Sequence, residues 1–381
     1  MFNRSSEDLV GQSRLVGANE SLVLWGGGNN SMKTRGADIL GREIDLMLIK
    51  SSGSDMKTIT PAQFPAVRLD YIAPLRHRRE DMTDQEMVNW LARCLIDPGS
   101  ARPSIETLLH AFLPVPAVLH THADAILSLT NSTGREKTVL EALGDDVITI
   151  PYRRPGFLLS REVGEAFDAQ PDARAIVLMN HGLITWGETP QIAYERHIEL
   201  VEQAERFLVE DRQSSLVEDR QSSLVEDRQS CLSGQAERFL VEDRQSCLSG
   251  QAGLPALHRV APILRGALSD RRSLILEFDD SQETLAFCSR DDLDRITQIG
   301  AATPDHLLYT KRCPLVIDEV SQIPAALEKY DDREGKAYER QKSEFPMLDP
   351  APRVVLVRNG GMFTAGKDAR AARIVRDIYR H

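Results

Sequence analysis

The longest apolar runs in this chain, SLVLW at 21–25, AIVLM at 175–179 and RVVLVR at 353–358, are only strand-length, and helix-spaced segments lie between such runs. Strands that alternate with helices bury their apolar faces by stacking as a helix-covered sheet, so an α/β layered fold is expected. Strands are predicted at 21–25, 45–50, 117–122 and 174–180. Helices are predicted at 83–96, behind a Thr-Asp start, at 104–113 with Ser104 as N-cap, and at 189–210 with Thr189 as cap and Pro190 in the first turn. Crossing a bilayer takes about 20 consecutive apolar residues, and no run comes near that length. The opening MFNRSSEDLVGQS has no charged-then-apolar leader pattern, so a cytoplasmic protein that meets no membrane is expected.

At 381 residues and 41% hydrophobic content, the chain can bury more than one core. Residues 1–203 carry the strand–helix alternation. From 204 to 252 the sequence repeats itself: AERFLVEDRQSCLSGQ stands complete at 236–251, AERFLVEDRQ at 204–213, and LVEDRQS again at 216–222 and 224–230. The repeat places a leucine at every eighth position, which at about 100° per residue drifts around a helix and forms no straight stripe. A tandem duplication, forming a solvated helical or irregular protrusion, is therefore expected over 204–252. Residues 253–381 have their own α/β pattern. A hairpin is predicted from 273–278 and 284–288, a helix over 323–341, a strand over 353–359 and a closing helix from 368. RAIVLMNHGLITWGET (174–189) and RVVLVRNGGMFTAGKD (353–368) share Arg, Asn, Gly, Thr and Gly in register, with Gly360 where His181 stands. Either the C-terminal part holds a related unit without that histidine, or two ordinary strand–glycine–helix turns have converged.

The net charge of −11, from 57 acidic and 46 basic residues, argues against a nucleic-acid partner, which requires clustered cations. A small anionic substrate needs only a few local donors. The five cysteines form no CxxC pair, which points to reduced thiols and away from a disulfide framework or cysteine zinc site.

Chemistry concentrates on histidine. His120 and His122 lie two apart on a predicted strand, so their imidazoles share a face while Thr121 points away. His181 follows an apolar strand and precedes Gly182. Three histidines with a coordination position left open form the pattern of a catalytic zinc, although histidines so placed can also simply be hydrogen-bonded. Glu106, on the helix before the HTH strand, is either a proton-transferring carboxylate beside that ion or a plain first-turn glutamate favoured by the helix dipole. Gly26–Ser31 and Ser51-Ser52-Gly53 are turns whose backbone N–H groups suit an anion, and Ser104 adds a donor. The glycine run lacks the spacing of a dinucleotide fingerprint or a P-loop, so NAD and ATP are not expected. Lys33, Arg153 and Arg154 are read as solvated or salt-bridged, and His110 as a buried, hydrogen-bonded histidine. His306, behind a Thr-Pro-Asp turn, is ambiguous.

Taken in order, GGGNNS, SSG, SIE, HTH and NHG resemble the class II aldolase/adducin family from about Leu22 to Leu208. The resemblance implies a three-layer αβα domain in which His120, His122 and His181 bind zinc or another divalent metal. It assigns Glu106 as the aldolases' acid/base carboxylate and places the substrate phosphate on Gly28, Asn29, Ser52, Gly53 and Ser104. Ile105 and Gly26 depart from the pattern, standing where a second phosphate-binding serine and a threonine are found. WGGGNNSMK, PSIETLLHAFLP, PYRRPGF, ATPDHLLYTKRCPL and FTAGKDARAARI extend the likeness to the aldolase half of bifunctional class II aldolase/short-chain dehydrogenase proteins. A smaller C-terminal α/β region, preceding a dehydrogenase domain missing here, is the implied organisation, with homo-oligomeric assembly and no NAD in this chain. The implied activity is reversible retro-aldol cleavage of a ketose, such as the sugar phosphate rhamnulose 1-phosphate, through a metal-stabilised enediolate. A sugar-phosphate epimerase of the same family and a non-catalytic adducin-like interaction module are the alternatives.

Overall fold

A computed structural model of the protein describes residues 2–132, 134–226, 253–269, 273–341, 347 and 349–381. The chain divides into two compact units, Met1–Glu226 and Asp227–His381.

The first unit is built on seven strands: β1 Asn29–Ala37, β2 Glu43–Ile49, β3 Ala66–Arg68, β4 Ala117–Thr121, β5 Val147–Ile150, β6 Ala175–Leu178 and β7 Gly182–Gly187. They pair in the order β3-β2-β1-β4-β7-β6-β5, antiparallel throughout except for the parallel β5–β6 pair. Alternation along the strands sends side chains to two cores. Leu119, Ala175, Val177 and Leu183 pack with the helices Asp124–Thr130, Arg135–Leu143 and Pro190–Glu226. Val118, Ile176, Leu178, Ile184 and Trp186 pack on the opposite face with Thr107–Phe112 and Phe157–Ala169. Helices thus cover both faces, giving the expected three-layer α/β architecture.

Two local expectations change. SLVLW is not a strand; residues 21–25 form turns whose Leu22 and Val23 drop into the core, and the chain first enters the sheet at Asn29. Its apolar run reflects burial, not extended pairing. The helix expected from Ser104 begins at Thr107, with Glu106 in the cap position; Ser104 instead makes the preceding turn, its hydroxyl accepting from the Glu106 amide at 3.2 Å. The 83–96 segment behaves as predicted: Thr83 caps Asp84–Cys94, with Glu86 completing a capping box. Of the repeated segment, residues up to 226 continue the helix that starts at Pro190, and 227–252, with Cys231 and Cys247, lie outside the described residues. Cys94, Cys288 and Cys313 are free, buried thiols.

The second unit carries β8 Ile275–Asp279, β9 Leu315–Ile317, β10 Val354–Val357 and β11 Gly361–Gly366, ordered β8-β11-β10-β9. Only β9–β10 is parallel, so order and directions reproduce those of β4-β7-β6-β5. Register agrees as well: Ala175 faces Thr185 as Val354 faces Thr364. The turns match at Asn180 and Asn359, both left-handed with φ 59° and 57°. Seven-residue helices, Asp124–Thr130 and Gln282–Cys288, follow β4 and β8. The sequence echo is therefore a shared strand–turn–strand–helix arrangement. It also explains why TLAFC is helical and not the second arm of a hairpin. Ser281 caps the segment by accepting from the Thr284 amide, and Asp279 Oδ2 accepts from the Thr284 hydroxyl at 2.7 Å. A five-residue apolar run has no period of its own to decide between helix and strand.

Candidate metal centre

β4 ends in the His120-Thr121-His122 segment, and β6 and β7 are joined by the turn that bears His181. Turn geometry brings these distant segments together. Asn180 takes the left-handed conformation that asparagine tolerates and anchors its amide on the Thr130 carbonyl (3.2 Å) and Asn131 Oδ1 (2.6 Å). Gly182 follows because a Cβ there would sit 2.2 Å from the Thr121 carbonyl oxygen, in the backbone of the HTH strand. The three rings converge, with centroids 5.0, 5.0 and 5.2 Å apart. One ligand atom from each lies within 4.8 Å of the others, a set that could hold a metal ion.

Donor chemistry fits a cation. His120 Nδ1 lies 3.0 Å from the Leu183 carbonyl, which can only accept, so the ring proton sits on Nδ1 and Nε2 presents its lone pair. The Nε2 atoms of His120 and His122 and Nδ1 of His181 are buried and make no hydrogen bond. Buried polar atoms left so are costly in an ordinary core. Burial, opposed by Glu106, holds His120 well below the usual imidazole range, which keeps it neutral as a ligand must be.

Glu106 completes the cluster. Its Oε1 is 3.2 Å from His181 Nε2 and its Oε2 is 3.6 Å from His120 Nε2. Burial works to raise this carboxyl, but His120, His181 and His122 outweigh it and hold the group well below the usual carboxylate range. Of the two readings open in the sequence, the exposed first-turn glutamate is excluded, since the residue is 7% exposed.

The glycine turn lies alongside. Asn29 pairs with His120 across β1–β4 and donates from Nδ2 to Glu106 Oε2 at 2.6 Å and to Ser104 Oγ at 3.4 Å. Gly28 precedes it with φ 59°, and a Cβ there would meet Val23 and the His120 carbonyl at 2.6 and 2.9 Å. The turns at 26–28, 51–53 and 102–104 are stitched together: Lys50 Nζ donates to the Gly26 carbonyl (2.9 Å), the Ser104 amide to the Lys50 carbonyl (3.1 Å) and the Ser52 amide to the Arg102 carbonyl (2.9 Å). Gly53 has φ 72° and open space beside its Cα.

Lys50 is 2% exposed at the end of an apolar strand. Sequence reasoning passed over it, although a lysine closing such a run just before Ser-Ser-Gly was a signal. His197 was also missed. It is buried behind the HTH strand, bonded to Thr121 Oγ1 (2.7 Å) and Thr185 Oγ1 (2.9 Å), and burial pushes it down to about 3. The remaining candidates make local contacts, and Lys33, expected to be solvated or salt-bridged, bonds to backbone carbonyls instead. Lys33 donates to the Val115 carbonyl at 2.9 Å and to the Leu113 carbonyl. Arg153 pairs with Glu162 and Arg154 with Asp84. His306 lies in the second unit, bonded to the helix-capping Thr303 at 2.8 Å.

Residues 7–208 match the family described as the class II aldolase and adducin N-terminal domain, and residues 255–381 match the second domain of class II aldolase. A solved N-terminal class II aldolase domain of a conserved protein from Thermoplasma acidophilum is 42% identical with a TM-score of 0.50, covering 53% of this chain and 92% of that one. An uncharacterized oxidoreductase of Bacillus subtilis, YuxG, is 37% identical over 386 residues, covering 98% of this chain and 52% of its own length. The methylthioribulose-1-phosphate dehydratase of Sorangium cellulosum is 32% identical over 128 residues, 28% of this chain and 60% of that protein. The chain thus spans about half the length of the first of these curated relatives. No helix among the described residues is long and apolar enough to cross a membrane.

Proposed function

This chain belongs to the class II aldolase and adducin family, and from that premise we propose that it is a metal-dependent aldehyde-lyase performing reversible retro-aldol cleavage of a ketose 1-phosphate of the rhamnulose type. The observation that carries the reading is the carboxylate of Glu106, buried within 3.6 Å of His120 and 3.2 Å of His181. Lewis-acid polarisation of the ketose carbonyl is what a divalent cation, zinc by preference, supplies when held by His120, His122 and His181. Cleavage breaks the C3–C4 bond: the C4 hydroxyl loses its proton as the aldehyde forms, and the bonding pair passes into an enediolate over C2 and C3. Glu106, ionised and desolvated, takes up the proton that the C4 hydroxyl gives away and delivers it to C3 as the enediolate becomes the ketone fragment. Gly28, Asn29, Ser52, Gly53 and Ser104 hold the substrate phosphate. Their mutually bonded turns, with the Lys50 ammonium on the Gly26 carbonyl beneath them, support this assignment.

A second reading rests on the likeness to methylthioribulose-1-phosphate dehydratase: the same residues would expel water from a ketose phosphate instead of splitting its carbon chain. Product analysis on a panel of ketose 1-phosphates, with metal content measured alongside, decides between them. An aldolase yields two carbon fragments, a dehydratase one dehydrated ketose and an epimerase one isomer. Appearance of a single product of unchanged carbon number from every cleavable candidate overturns the lyase assignment. The chain is further proposed to assemble as a homo-oligomer in the cytoplasm.

A further inference from the structure

His110 lies one helical turn beyond Glu106, fully buried, and its ring touches two polar side chains. Nδ1 is 2.8 Å from Ser31 Oγ, and Nε2 is hydrogen-bonded to Asn29 Oδ1. Asn29 in turn donates from Nδ2 to Glu106 Oε2 at 2.6 Å. The donor directions can be read back from the carboxylate. An ionised carboxylate only accepts, so the Asn29 amide must present its NH2 to Glu106 and its carbonyl to the ring. That carbonyl only accepts, so the His110 proton sits on Nε2. Nδ1 then carries a lone pair, and the Ser31 hydroxyl donates to it. Burial pushes His110 down to about 3, which leaves one neutral form across the working range.

We propose that His110 is a positioning residue for the reaction: its Nε2–H holds the Asn29 amide in one orientation, and Asn29 then pins Glu106 by Oε2, fixing the carboxylate beside the three imidazoles. Without that fixed donor, the Asn29 amide can turn over. Its carbonyl would then face the carboxylate, and Glu106 would lose both its anchor and its aim. Oε1 lies 3.2 Å from His181 Nε2, and Oε2, the oxygen that takes the Asn29 bond, lies 3.6 Å from His120 Nε2, so fixing Oε2 fixes the carboxylate against both rings. The proposal rests on the reading of Glu106 as proton carrier.

Two measurements test it. The first needs neither metal nor substrate: nitrogen-15 spectra of histidine-labelled protein, with the His110 signals assigned by their loss in His110→Gln. A neutral ring protonated on Nε2 from pH 5 to 8 is expected; a proton on Nδ1, or titration within that range, overturns the proposal. The second uses the full chain loaded with zinc. His110→Phe keeps the ring volume and is expected to bind one zinc per chain, keep KM, and lose about 10- to 100-fold in kcat. His110→Gln, which can still donate to Asn29 and accept from Ser31, recovers most of that loss. Equal kcat for His110→Phe and the parent at full zinc content overturns it. Should His110→Phe fail to fold, the spectra and the Gln variant still decide. If Glu106→Gln turns over substrate at the parent rate, the reading of Glu106 fails, whereas the His110 tautomer stands or falls by the spectra.

Discussion

Thr185 and Thr364 make the same hydrogen bond in the two units: each hydroxyl donates to the carbonyl eight residues on, Ala193 and Ala372, at 2.9 Å. In both, the bond ties the strand after the asparagine turn to the first turn of the following helix. Asn180 and Asn359 reach the equivalent helix end by different donors, the Asn180 side-chain amide to the Thr130 carbonyl and the Asn359 backbone N–H to the Cys288 carbonyl, both at 3.2 Å. The second unit therefore repeats the half of the first that carries the three-histidine cluster, and it differs at those positions. Pairing with β11 puts Phe278 where His120 stands, and Gly360 replaces His181.

With His120, His122 and His181 holding the ion as proposed, one metal ion per chain is expected. Purified protein should contain one equivalent of a divalent ion by mass spectrometry. His181→Ala should lose nearly all of it, while substitutions at Asp279 or Asp280 leave it intact. Two equivalents, or retention in His181→Ala, would contradict a centre built from the first unit alone. Chelation should also lower the unfolding temperature, because an ion bound only by the folded state stabilises it by mass action.

Glycine at 182 is demanded by backbone and not by flexibility. A methyl group there would sit 2.2 Å from the Thr121 carbonyl oxygen and 2.9 Å from the His120 ring. Gly182→Ala should cost roughly 1–3 kcal/mol or more in urea unfolding and weaken metal binding, since the strand that must yield carries two ligands. Gly361→Ala, with φ 104° and the Asp279 carbonyl 2.7 Å away, should destabilise the second unit by a similar amount and leave metal affinity unchanged. Normal zinc affinity in Gly182→Ala would show that the HTH strand does not depend on this close approach.

The sequence was informative where side-chain periodicity or capping acts locally. The Thr83 cap, the helix start at Pro190 and the HTH strand needed no partner to be recognised. Elements fixed by tertiary pairing were hidden. β1 is Asn-Asn-Ser-Met-Lys-Thr-Arg-Gly-Ala, a polar stretch that becomes a strand because β2 and β4 flank it. β7 and β11 were absorbed into the glycine turns that precede them. In the site, histidine spacing named three converging rings, but the environment of Glu106 was not legible. Its burial depends on Asn29 and His120 being opposite each other in a sheet pairing that spans 91 positions of sequence. His197 was hidden for the same reason, its partners lying on two strands.

His197 predicts acid sensitivity. Its folded value of about 3 is below the ordinary 6.5, so the unfolded chain takes up the proton first. The stabilisation is fully present above about pH 6.5 and is lost as pH falls from there towards 3, by on the order of 5 kcal/mol over the whole interval. His197→Gln keeps a donor and an acceptor without a titrating group, and its stability should fall less steeply over this window. Parallel profiles for the two proteins in chemical unfolding at stepped pH would remove His197 from the account.

Glu106→Gln separates metal binding from proton transfer. The amide has the same shape, and its oxygen can still accept from Asn29, so the imidazole cluster keeps its packing and its ion. What disappears is the charge that His120 and His181 surround and the capacity to accept a proton. General acid–base groups contribute about 10²- to 10⁴-fold, so kcat should fall by that factor while zinc content stays at one equivalent. Glu106→Asp keeps the charge but withdraws it by one methylene, away from both Asn29 and the rings, and should fall between the two. If the order is reversed, with the Gln variant more active than the Asp variant at equal zinc, neither the charge nor the proton capacity of Glu106 is what the reaction uses, and another group moves the proton.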